Sequence, residues 1–164
     1  MAKNFRLWEQ AQVISLLKPA ADAAGRTSAY VSVANAHKAY ILAYITQGNA
    51  ATILLTPLQA TSAAGAGSKA LTAVAPIAVD LDTDTVPSDI LSLATAAANY
   101  TTDAGTKTKI VLFEIDPIES MDVNNNFNHL AVSTGASNAA NITSALLILT
   151  PIRFQQLNPP TANV

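Results

Sequence analysis

The chain has no cysteine and only two histidines, and charged residues occupy 12% of its 164 positions. Without cysteine there is no disulfide framework, no thiolate nucleophile and no cysteine-based metal site. The charged fraction is about half of the ~25% usual in a soluble domain. Because a free monomer relies on charge for solubility, this deficit points to surface that faces other protein or is covered by neutral Thr, Ser, Asn and Gln. The formal net charge is -2 and the nine basic residues are scattered, so no nucleic-acid partner is expected. No window approaches the roughly 20 consecutive apolar residues of a membrane helix, so no membrane partner is expected. The opening MAKNFRLWEQ is not followed by the apolar stretch and small-residue cleavage site of a secretory signal, which makes cytoplasmic synthesis the expectation.

What the chain does have is β-forming sequence. Half of its residues are hydrophobic, many of them alanine. Strand-like runs of Ala, Val, Ile, Leu and Thr recur at Ser28 to Thr46, Ala50 to Pro57, Lys109 to Asp116, His129 to Thr134 and Ile142 to Pro151. The length favours one domain over 1–164. We expect an all-β fold, an antiparallel β-sandwich of jelly-roll-like form with one short helix and extended terminal arms. Its parts would be an N-terminal arm or helix over 1–18, a sandwich core over 19–153 and a C-terminal arm over 154–164.

Local signals refine that outline. Phe5 to Lys18 places Leu7, Ala11, Ile14 and Leu17 near helical spacing, with an extended arm as the rival, and Pro19 should end either one. Between Tyr40 and Ile45 both alternating sets are large, the pattern of a strand buried on both faces or used as an interface. Gly48 and Asn49 read as a hairpin turn. Gln59 to Lys69 reads as a mobile or partner-ordered loop, and Ala73 to Leu81 as a strand broken at Pro76. Pro87 to Asn99 reads as the short helix, capped by Ser88 or Asp89 with Ile90, Leu93 and Ala97 on one face. A weak echo links Asn49-Ala50-Ala51 and its strand to Asn138-Ala139-Ala140 and its strand, each leaving through Thr-Pro.

No catalytic pattern stands out. Asp80, Asp82 and Asp84 alternate like the opening of a calcium loop, but Thr85 takes the required glycine position and Leu91 the acidic twelfth. Glu114, Asp116, Glu119 and Asp122 supply the paired carboxylates that acid/base hydrolysis uses, yet no aromatic sugar platform accompanies them. His37 and His129 lack a nucleophile elbow, since Gly135-Ala136-Ser137-Asn138-Ala139 misses its second glycine. Gly65-Ala66-Gly67-Ser68-Lys69 lacks phosphate-loop spacing. The residues therefore support no enzyme, no catalytic residue, no metal and no cofactor. The aromatics carry more: Tyr30, Tyr40 and Tyr44 form either core packing or a subunit-interface stripe. Phe5, Leu7 and Trp8 near one terminus, and Phe154 and Leu157 near the other, are apolar anchors in segments with little else to bury.

The run from Ser15 to Pro57 (SLLKPAADAAGRTSAYVSVANAHKAYILAYITQGNAATILLTP), together with Ser133 to Phe154 (STGASNAANITSALLILTPIRF), resembles small structural proteins among the virion genes of tailed bacteriophages and prophages. Within that group the chain is most similar to capsid decoration, or cement, proteins. That resemblance implies a β-sandwich on the capsid exterior, made in the host cytoplasm, associating as a homo-oligomer, a trimer for preference, and binding the major capsid protein. Tail-tube, connector and head-completion subunits are the alternative within the same particle. Contacts would run through Phe5, Leu7, Trp8, Tyr30, Tyr40, Tyr44, Phe154 and Leu157.

Overall fold

The β-forming runs pair as twelve strands in the computed structural model, which describes residues 10–84 and 90–152. In chain order they are β1 (Gln12–Ala21), β2 (Arg26–Thr27), β3 (Val31–Ser32), β4 (Ala36–Gln47), β5 (Leu54–Ala60), β6 (Lys69–Ala70), β7 (Ala75–Asp80), β8 (Ser92–Ala97), β9 (Tyr100–Thr101), β10 (Thr108–Ile115), β11 (His129–Thr134) and β12 (Asn141–Ile152). A short helix, α1 (Pro117–Ser120), lies between β10 and β11. One sheet has the order β1-β12-β4-β10-β7-β8; the other runs β2-β11-β5-β6, with β3 on β11 and β9 on β5. All pairings are antiparallel, so the fold is an all-β sandwich.

Strand period 2 sends alternate residues of β4 inward, and Ala39, Ile41, Ala43 and Ile45 are fully buried. Their cross-strand neighbours match them in size: Ile41 lies beside Leu147 and Phe113, while Ala43 lies beside Ala145 and Val111. Large and small side chains thus alternate along the layer that meets Leu55, Leu130 and Val132 of the facing sheet.

Several local expectations are corrected. From Gln12 onward the N-terminal segment is neither helix nor arm but an edge strand on β12, and Pro19 lies inside it. Proline is tolerated there because β1 is at the sheet edge among the described residues and its register shifts between Ser15 and Leu17 and again between Leu17 and Ala20. Ser92–Ala97, inside the expected helix, is strand β8, since β7 offers it a hydrogen-bonding partner that outweighs the helix preference of alanine. The helix forms instead at Pro117–Ser120, where Asp116 caps the Ile118 amide at 3.0 Å and proline opens the first turn. Pro76 does not break β7 but sits at a register shift against β8.

Gly48-Asn49 is no hairpin, because β4 and β5 belong to different sheets. It is half of the sequence echo. Asn49 Oδ1 accepts from the Ala51 amide and Asn138 Oδ1 from the Ala140 amide, both at 2.9 Å, so each Asn-Ala-Ala segment forms the same side-chain-closed turn. The two turns pack together: the Asn49 amide donates to Asn141 Oδ1 and Asn141 Nδ2 to the Ala51 carbonyl, each at 2.8 Å. A Cβ on Gly48 would stand 2.6 Å from the Ala140 carbonyl oxygen, which explains the glycine.

This end of the sandwich also holds buried polar side chains. Asp22, where the chain crosses from β1 to the other sheet, is fully buried. Its Oδ1 accepts from Arg26 Nη2 at 3.0 Å and Thr134 Oγ1 at 2.9 Å, and its Oδ2 from Thr143 Oγ1 at 2.5 Å. Thr134 is on β11 and Thr143 on β12, so one carboxylate ties both sheets together. Lys109, also fully buried, donates to Asp103 Oδ1 at 2.5 Å, the Gly105 carbonyl at 2.6 Å and Gln47 Oε1 at 2.9 Å. The bond from Lys109 holds the Asp103 carboxyl below its ordinary range against a smaller opposing effect of burial, and the Gly105 amide adds to it.

Candidate interaction surface

The outer face of the six-stranded sheet is built by the residues that alternate with the core. Register places Val13, Ile148 and Tyr40 in one row, ending at Glu114. The next row is Ser15, Leu146, Leu42, Leu112, Ala78 and Leu93, with no charged member. Ser144, Tyr44 and Ile110 follow in a row that ends at Asp80, then Ile142, Thr46 and Thr108. A solvated sheet face is ordinarily polar. Here Leu93 is 86% exposed, Val13 50% and Tyr44 47%. This apolar face is the candidate interaction surface.

Rows that span two to five strand spacings, over three two-residue steps, give it a footprint on the order of 300 Å². Stable pairwise interfaces bury about 800 Å² per partner, so one contact through this face is at the weak end and repetition would strengthen it.

The tyrosines expected to act together are divided. Tyr40 and Tyr44 share the outer face of β4, two rows apart. Tyr30 belongs to the other sheet's side, where it is hydrogen-bonded to Ser68 Oγ and lies against Gly65. A Cβ on Gly65 would come within 2.7 Å of that ring, and its φ of +78° adds a second reason for glycine. The Gln59 to Lys69 stretch accordingly includes the end of β5 and a turn closed by backbone bonds from Gly65 to Ser62 and from Thr61 to Ala66. Phe5, Leu7, Trp8, Phe154 and Leu157 lie outside the described residues.

Several residues with chemical potential are engaged structurally. Lys38 Nζ sits 3.1 Å from Glu114 and 3.6 Å from Asp116, which raises its pKa chiefly through the Glu114 bond. Asp122 pairs with Lys69 at 2.6 Å, and that bond, followed by one from Asn125, lowers its pKa. Burial lowers the His129 pKa, and its Nδ1 lies 2.6 Å from Asn128 Oδ1. Among the described residues, no three His, Asp or Glu side chains are grouped to hold a metal ion. No described helix is long and apolar enough to cross a membrane.

At the end opposite Asp22 is a cavity of about 320 Å³, walled by α1 and by the turn that leads into β4. No sequence signal announced it, because its walls come from three separated segments.

No protein-family model matches the chain, and none of the curated proteins matches it. Among solved structures, the chain is similar to SPBc2 prophage-derived protein YomS, with a TM-score of 0.48 at 8% identity over 85% of this chain and 93% of that one.

Proposed function

We propose that this chain is a non-enzymatic structural subunit of a tailed-phage particle, a capsid decoration protein that binds the major capsid protein lattice and stabilises it from outside. The observation that carries the reading is the uncharged aliphatic row Leu146, Leu42, Leu112 and Leu93 on an otherwise solvated sheet. The resemblance of Ser15 to Pro57 and Ser133 to Phe154 to phage virion proteins supplies the setting. A face of about 300 Å² binds weakly alone. Copies held as a trimer over a repeating shell gain by multivalency, which suits a cement.

The test uses the purified full chain, preformed capsids lacking it, and the double variant Tyr44→Lys/Leu146→Lys, whose side chains are exposed enough to leave the fold intact. The wild type should sediment as a trimer and pellet with capsids. The double variant should lose capsid binding with its unfolding midpoint unchanged. Undiminished binding by the variant, or rings and tubes formed by the wild type alone, would overturn the reading, the second outcome in favour of a tail or connector subunit.

A further inference from the structure

We infer that the cavity at the α1 end is the docking site for the chain's own C-terminal segment, with Phe154 as the occupant. Val33, Ala36, Pro117, Ile118 and Phe127 line it, and Asn128 is its polar member. A pocket of about 320 Å³ is at the small end for ligand sites and takes one ring better than a larger molecule. With no charged side chain in its lining, it offers nothing to an ionic metabolite. Ile118 at its mouth is 60% exposed and Val123 40%, apolar area that a docked segment would cover.

Where the chain leaves the sheet identifies the occupant. The last register pair of β12 sets Ile152 against Ala36, so the last described residue stands beside the pocket's own wall. Phe154 follows two residues later, and two residues span at most about 7 Å. Arg153 is the segment's basic side chain, and RFQQLNPPTANV contains no Asp or Glu. The adjoining α1 carries the exposed Glu119, a charge complementary to Arg153, while its cap Asp116 is already 3.6 Å from Lys38 Nζ. The same chain is favoured over a second copy because a tether this short raises the local concentration of the ring far above that of any free arm. Phe154 thereby gains an intramolecular partner in place of the intersubunit one that composition implied. This inference does not depend on the phage role.

Methyl NMR on the full chain tests it without relying on any variant. Nuclear Overhauser contacts are expected from the Phe154 ring to the Val33 and Ile118 methyls. Phe154→Leu should shift those methyl resonances and leave Val132 in place. In a mixture of labelled and unlabelled chains, the contacts should be intramolecular only. Absence of the contacts, or unmoved Val33 and Ile118 signals in the variant, would refute the docking. Contacts between labelled and unlabelled chains would also overturn it, by showing that the pocket takes the arm of a second copy.

Discussion

Where β4 finishes and β12 begins, the sandwich is closed by four buried polar residues: Asp22 bonds strands of both sheets, while Gln47, Lys109 and Asn141 tie strand ends to the loops around Ala51 and Asp103. Where β12 finishes and β4 begins, the closing groups are Val33, Pro117 and Phe127 around a cavity, with Lys69 Nζ 4.1 Å above the Phe127 ring. Gln59 is buried nearby, but its bonds reach Ala70, Thr72 and Asp122 within the adjoining strand and loops. The difference is one of directionality. Hydrogen bonds to Asp22 fix which strands meet and in what register, whereas apolar contacts fill space and tolerate exchange of similar volumes.

The largest test of that contrast is Asp22→Ala. It strands the Thr134 and Thr143 hydroxyls and unpairs Arg26, and because Arg26 retains some solvent access the loss should be near the lower end of the range for a broken buried pair, about 3 kcal/mol. Urea unfolding measures it, and a loss below that of a conservative swap such as Phe127→Leu would break the comparison. Next in size is Lys109→Met. Asp103 is half exposed and can rehydrate, but Gln47 Oε1 and the Gly105 carbonyl are left without their donor, for a cost of about 2 kcal/mol by the same measurement.

At the apolar end, Gly65→Ala should cost about 1–2 kcal/mol, read from the same unfolding curves, through its positive φ and the close approach of Tyr30. Retained stability there would show that the turn yields more readily than its geometry implies.

Acid gives the smallest effect. The Asp103 carboxyl is lowered in the folded state, so its contribution is present above the ordinary value of 3.8 and is lost as pH falls through the lower folded value. Urea midpoints followed from pH 6 down to about 2 should therefore decline less in Asp103→Asn than in the wild type. An equal decline would remove Asp103 from the acid response of this end.

Much of the sandwich was legible because its strands carry strong β-formers in an alternating pattern. His129–Thr134 coincides with the expected segment, and Thr108–Ile115 and Asn141–Ile152 extend theirs by a residue or lose one. The errors fall where composition is ambiguous. Ser92–Ala97 contains three alanines, good helix formers in isolation, and only pairing with β7 decides the matter. Gly48-Asn49 has the right residues for a turn, but turn chemistry does not reveal which sheet the chain enters next. Asp22 was not singled out at all: its partners at Thr134 and Thr143 are more than a hundred residues away, a relation no local pattern encodes. The tyrosines show both outcomes. Period 2 places Tyr40 and Tyr44 together, while Tyr30 was joined to them only by proximity in sequence.

The edge strand β1 carries one further consequence. A newcomer trying to extend the sheet along that side meets Lys18, the Pro19 nitrogen with no hydrogen to give, and a register interrupted twice. On the opposite margin, β8 offers SLATAA, without charge or proline. Among the described residues, strand-by-strand recruitment would therefore favour the β8 flank over the β1 flank. A symmetric pair made by sheet extension would join β8 to β8 and not β1 to β1.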